Sequence, residues 1–147
     1  MRANDLANTP QVKILLVFEA ALGFLKTGAE KEWDRLASQG RWSRAIDLWY
    51  LNPLLVSIIW DRCQKDDLNI EVVTYCGPDE WASCVSDLIG EAQLPIRRVW
   101  AIKPEVLSHK IMSMPNVIRI YDPFESHILY FGPRGRYLVD ANQFARD

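Results

Sequence analysis

Apolar residues fall along this chain in two kinds of run, and the alternation between them predicts the architecture. Ile14-Leu15-Leu16-Val17-Phe18 is continuously apolar, as a strand buried on both faces of a parallel sheet requires. Ile70-Glu71-Val72-Val73-Thr74-Tyr75 is rich in β-branched residues and reads as a second strand. Ile96 to Ile102 and Val117 to Tyr121 read as a third and a fourth. Between these runs the apolar positions change to helical spacing. Asn52 followed by Pro53 is a cap followed by a first-turn proline, and Leu54, Leu55, Ile58, Ile59 and Cys63 fall on one helical stripe reaching to about Lys65. Gly77-Pro78-Asp79-Glu80 opens another helix with Trp81, Cys84, Val85 and Leu88 or Ile89 on its apolar face, and Pro104 to Met112 reads as a short helix. Strands separated by helices long enough to cross over predict a parallel sheet covered on both sides.

The remaining segments complete the expectation. Met1 to Pro10 is polar and aperiodic and reads as a loose arm, which leaves residues 11–147 as a single α/β domain. Glu19 to Gly28 reads as loop. A short helix is expected around Glu30 to Leu36, then a turn at Gln39-Gly40 and irregular structure after it. Near the end, Ile128-Leu129-Tyr130-Phe131 and Arg136-Tyr137-Leu138-Val139 flank Gly132-Pro133-Arg134-Gly135, a sequence suited to a type I turn and an antiparallel hairpin on the sheet edge. The fold class expected is a three-layer α/β sandwich with a mainly parallel sheet plus a C-terminal β-hairpin.

Composition narrows the function classes. The 147 residues carry 17 Lys and Arg against 19 Asp and Glu, a formal net charge of −2; a dedicated nucleic-acid binder would show a basic excess. A chain of this length buries about two-thirds of its extended surface, enough for a core without staples. Cys63, Cys76 and Cys84 form no CxxC pair and no zinc-type spacing, so a reduced, cytoplasmic setting is expected. No run approaches the length of a membrane span, and Lys13 to Phe18 is too short for a signal-peptide core. A soluble protein is the expectation.

Ligands of open α/β sheets bind beyond the carboxyl ends of the parallel strands. Those ends carry Val17, Phe18 and Glu19; Thr74, Tyr75 and Cys76; Lys103; and Asp122. A hydroxyl, a lysine and two carboxylates in one crevice suit phosphate and a divalent cation. The plain structural reading is that any such sheet displays a polar residue at each strand end.

The order of Ile14 to Leu22, Val72-Val73-Thr74, Lys103 and Ile120-Tyr121-Asp122, with Leu51-Asn52-Pro53-Leu54-Leu55 before a helix, resembles the small capless branch of the haloacid dehalogenase (HAD) superfamily of phosphatase-like proteins. The resemblance covers roughly Lys13 to Asp140 and implies a Rossmann-like, HAD-like sheet. It also implies an aspartate nucleophile at the end of the first strand and an acid/base aspartate two residues on. A phosphoryl-binding threonine, a charge-offsetting lysine and a magnesium-holding aspartate complete the set. Thr74, Lys103 and Asp122 carry over by position, with Lys110 a competitor to Lys103. The first motif departs from the family. In one register Val17 stands at the nucleophile position and Glu19 at the acid/base position; in the other Glu19 is the nucleophile and Ala21 the acid/base. Neither supplies two aspartates, and loss of a nucleophile that acts as part of a unit costs orders of magnitude in rate. Glu19 and Asp122 alone make a poor magnesium site.

Other features weigh less. His109 and His127 are isolated. Cys76, ahead of a predicted helix start, would be reactive with a lowered thiol pKa, although a packed cysteine is the commoner case. Trp33, Trp42 and Trp49, among Arg35, Arg41 and Arg44, serve either as cover for the sheet end or as an interface. Arg134 and Arg136 beside Tyr130 and Tyr137 form a second basic-aromatic patch, either a solvated turn or an interface.

The function expected is that of a non-catalytic HAD-like domain binding a protein or a phosphorylated ligand through Thr74, Lys103 and Asp122, with no cofactor. The alternatives are a divergent magnesium-dependent phosphatase or nucleotidase, with Glu19 and Asp122 on the metal, and a self-assembling accessory protein built on the Trp-rich segment and the hairpin edge.

Overall fold

The computed structural model describes residues 13–65, 68–113, 118–122 and 135–138. Its centre is strand β1 (Lys13–Val17), whose Ile14, Leu15, Leu16 and Val17 are all fully buried. β1 pairs in parallel with β4 (Asn69–Thr74) on one side, Leu16 opposite Val72, and with β6 (Ile118–Tyr121) on the other, Leu15 opposite Ile120. β5 (Arg98–Ala101) adds in parallel outside β4, and β7 (Gly135–Leu138) outside β6. The sheet order is β5-β4-β1-β6-β7, every pairing parallel.

Alternation along β1 divides the core. Ile14, Leu16 and Phe18 face one layer and Leu15 and Val17 the other. The first layer holds α3 (Pro53–Lys65) and α4 (Asp79–Glu91), which bury Leu55 and Ile59, and Trp81, Ala82, Val85 and Ile89, at the expected three- and four-residue spacing. On the opposite face α5 (Pro104–Ser113) packs Leu107 and Ile111 against Val17, Val73 and Ile120. The result is the three-layer, mainly parallel α/β architecture.

Two readings are corrected. The segment after β1 is not all loop: Gly23–Leu25 forms β2, antiparallel to β3 (Trp49–Leu51). The stretch after Gly40 is ordered too, as α2 (Trp42–Ala45) and a 3-10 turn (Ile46–Leu48), following α1 (Glu30–Ser38). Three-residue strands are too short to show a period, so the pattern of apolar positions could not display them. Met1 to Pro10 and the Ile128–Phe131 half of the expected C-terminal hairpin lie outside the described residues. Its other half enters as edge strand β7, parallel to β6.

Candidate functional site

The chain runs from β1 outward to β4 and β5, then returns across β1 to β6, which places the topological switch point beside the carboxyl end of β1. The turn leaving β1 is tight. Gly23 N–H donates to the Phe18 carbonyl at 2.7 Å, Leu22 N–H to Val17 at 3.2 Å and Ala20 N–H to Gly23 at 2.9 Å. Ala20 adopts the left-handed region at φ 65°, a conformation uncommon for a residue with a Cβ. A Cβ on Gly23 would lie 2.5 Å from the Phe18 ring, so a glycine is needed there for steric reasons. Asn52 fastens the turn to α3. Its N–H donates to Leu22 O at 2.7 Å, its Nδ2 to Ala21 O at 3.1 Å, and its Oδ1 caps the Leu54 and Leu55 amides at 3.1 and 3.4 Å.

This geometry sets Glu19, 7% exposed, against the end of β4. Its carboxylate accepts the Thr74 hydroxyl, the Tyr75 amide at 2.9 Å and the Cys76 amide at 3.4 Å. Trp81 Nε1 donates to Thr74 Oγ1 at 2.9 Å, which leaves the Thr74 proton for Glu19. Tyr75 turns its hydroxyl the other way, donating to Asp122 Oδ2 at 2.7 Å. Glu19, Thr74, Tyr75, Trp81 and Asp122 thus form one hydrogen-bonded layer across the ends of β1, β4 and β6, with Thr74 and Trp81 fully buried and Asp122 3% exposed.

Burial pushes the Glu19 carboxyl above its ordinary 4.5, opposed by the Thr74 hydroxyl and the backbone amides. Burial first, then the Asp122 charge, raises the Tyr75 phenol. Burial, with Glu19 beside it, pushes the Cys76 thiol up to about 12, the opposite direction from the lowering that a helix start would favour.

The structure gathers three of the residues expected in the crevice, Glu19, Thr74 and Asp122, and leaves two outside it. Val17 has its side chain in the α5-side core with Val73 and Ile120, because position 17 alternates to the opposite face from Phe18. Lys103 is exposed at the start of α5, and among the described residues its ammonium meets none of the crevice groups. Its rival Lys110 sits with Nζ 4.4 Å from the Trp100 ring centre. Tyr75 and Trp81 were not foreseen as polar members of the layer, although Thr74 and Trp81 straddle one strand-to-helix turn, a spacing that puts the indole within reach.

Trp33, Trp42 and Trp49 are half-buried beside the sheet end. They pack on buried Trp81 with ring centres 5.0, 5.7 and 6.0 Å away, and Trp49 also meets Phe18 at 5.2 Å. Arg136 lies in β7, its backbone opposite Arg119; Arg134 and His127 lie outside the described residues. His109 is exposed on α5.

The donor set does not fit magnesium. That ion needs open carboxylate oxygens in octahedral array, whereas Glu19 is engaged by three protein donors and Asp122 Oδ2 by Tyr75. Among the described residues no group of three His, Cys, Asp or Glu side chains is placed to hold a metal. A separate cavity of about 400 Å³ opens between the segment linking β2 to β3 and α4, lined in part by Lys26, Asp47, Trp49, Asp87 and Glu91. No protein-family model, no curated protein and no solved structure matches the chain.

Proposed function

We propose that this chain is a non-catalytic, HAD-like α/β module that works by binding a protein partner. The observation that carries this reading is the engagement of Glu19. The carboxylate at the end of β1 is buried, and its Oε1 accepts the Thr74 hydroxyl and two backbone amides, so that oxygen is already held by protein donors rather than offered to phosphorus. The same layer argues for a protein over a phosphorylated ligand. Thr74 already donates to Glu19 and accepts from Trp81, and a phosphate brought there would meet the carboxyl groups of Glu19 and Asp122. A cytoplasmic location accords with three free cysteines. Among the described residues no helix is long and apolar enough to cross a membrane.

The divergent phosphatase reading keeps one supporting observation: a carboxyl group with a raised pKa, a threonine and an aspartate meet at the switch point, where perturbed groups are often functional. One assay separates the two. With p-nitrophenyl phosphate and magnesium, the protein and its Glu19→Gln variant are expected to release phosphate at the same background rate. Magnesium-dependent turnover in the wild type that disappears in Glu19→Gln would establish the enzyme instead.

A further inference from the structure

We infer that the outer edge of β5 receives an extended, acidic segment of the partner as an added strand, with one of its side chains seated in the cavity between β5 and α4. The inference rests on the reading of this chain as a protein-binding module and names the chemistry of the partner.

Among the described residues β5 ends the sheet on its side. It pairs with β4 from Glu71 opposite Arg98 to Thr74 opposite Ala101, and among the described residues no strand pairs with its other edge. Such an edge presents backbone donors and acceptors to an incoming chain. Beside it lies a cavity of about 140 Å³ bounded by Ile89 and Gly90 of α4 and by Ile96, Arg97, Arg98 and Val99. Ile89, Leu94, Ile96 and Val99 contribute its apolar surface within a lining that is more polar than apolar, and a Cβ added at Gly90 would meet nothing within 4 Å. Strand addition uses both features: main-chain pairing supplies affinity and side-chain pockets supply selectivity.

Charge selects the occupant. The ionisable residues bounding the cavity are Arg97 and Arg98, both exposed. On the α5 side of the strand, the Arg98 guanidinium carbon lies 3.7 Å and the Lys110 ammonium 4.4 Å from the Trp100 ring centre. Exposed Lys103 follows the strand end. The carboxylate near Trp100 is that of Glu71, one strand inward, buried, and paired with Lys13 at 2.9 Å. A chain of net charge −2 therefore carries a cationic edge. A second copy would set that edge against its like, which disfavours self-pairing; an acidic strand meets it with opposite charge.

The test is a titration of the isotope-labelled protein, followed by amide chemical shifts. The probes are a short peptide of alternating glutamate and valine, its lysine-valine analogue, and an N-methylated glutamate-valine analogue that cannot complete the ladder. The expected result is saturable shifts confined to residues 86–90 and 96–101 with the first peptide. Affinity should fall about tenfold or more for the lysine analogue and be lost on N-methylation. In the Arg97→Glu/Arg98→Glu variant the preference between the acidic and basic peptides should invert; should that variant not fold, the three peptides on the wild type decide. Absence of saturable shifts at millimolar peptide, equal binding of the N-methylated analogue, or shifts centred elsewhere would overturn the proposal. So would a doubled mass in sedimentation of the free protein, caused by self-pairing along β5. Phosphatase activity at Glu19 would sink the non-catalytic reading and leave the edge titration standing, whereas failure of the titration leaves the sealed crevice as it is.

Discussion

Asn52 does more local work than any other single residue near the crevice. Its side chain caps two amides of α3 and at the same time donates to the Ala21 carbonyl, so it fixes both the start of a helix and the turn that presents Glu19. Asn52→Ala is expected to cost about 1–2 kcal/mol in urea unfolding, from the lost cap and the unpaired carbonyl. At Glu19 itself the prediction concerns pH. The folded state raises this carboxyl above 4.5, so the folded protein holds the proton more tightly than the unfolded chain. Its contribution to stability is therefore present below 4.5 and is lost as pH rises through the raised folded value. Urea midpoints measured from pH 4 upward should show the wild type losing ground to Glu19→Gln with rising pH; parallel curves for the two proteins would contradict this.

Among the elements, the insert between β2 and β3 is held to the sheet by rings. Trp81 is the hub, fully buried and ringed by Trp33, Trp42, Trp49 and Phe18. Trp81→Ala is expected to destabilise the fold by about 3–5 kcal/mol through the cavity it opens. Trp81→Phe keeps one ring but loses the N–H to Thr74 and part of the indole's packing, an intermediate cost of about 1–3 kcal/mol. Calorimetry on the two variants should show that order. The parallel strands and their helices were legible in the sequence because long apolar runs and cap residues are local signals: Asn52-Pro53 marks the start of α3, and Ile14 to Phe18 marks the central strand. Within the insert α1 was legible, as the helix expected around Glu30 to Leu36, whereas β2, β3 and the turns after Gly40 were not, because they are ordered by contacts between residues far apart in the chain, such as Trp49 and Trp81. The crevice was legible in part. A strand end tells where Glu19, Thr74 and Asp122 emerge, but not which way a side chain turns, and so Lys103 was expected inward and lies exposed, while Tyr75 joined the layer unannounced.

At the scale of the whole molecule, the docking edge proposed at β5 carries the exposed Arg97 and Arg98, and the same charges on a second copy would oppose self-pairing. Sedimentation over a hundredfold range of concentration is expected to give the monomer mass throughout; a mass that rises with concentration would favour the self-assembling alternative. The position of β1 has a consequence for how the chain reaches this state. β1 lies second in space to nothing: it is the middle strand, and its partner Ile120 is made about a hundred residues after Leu15, a separation that slows folding. During synthesis, then, β1 leaves the ribosome about a hundred residues ahead of β6, and that flank of an apolar strand must wait unzipped for the interval. Nascent chains halted before Ile118 should accordingly be held by chaperones, and those extended past Leu138 released.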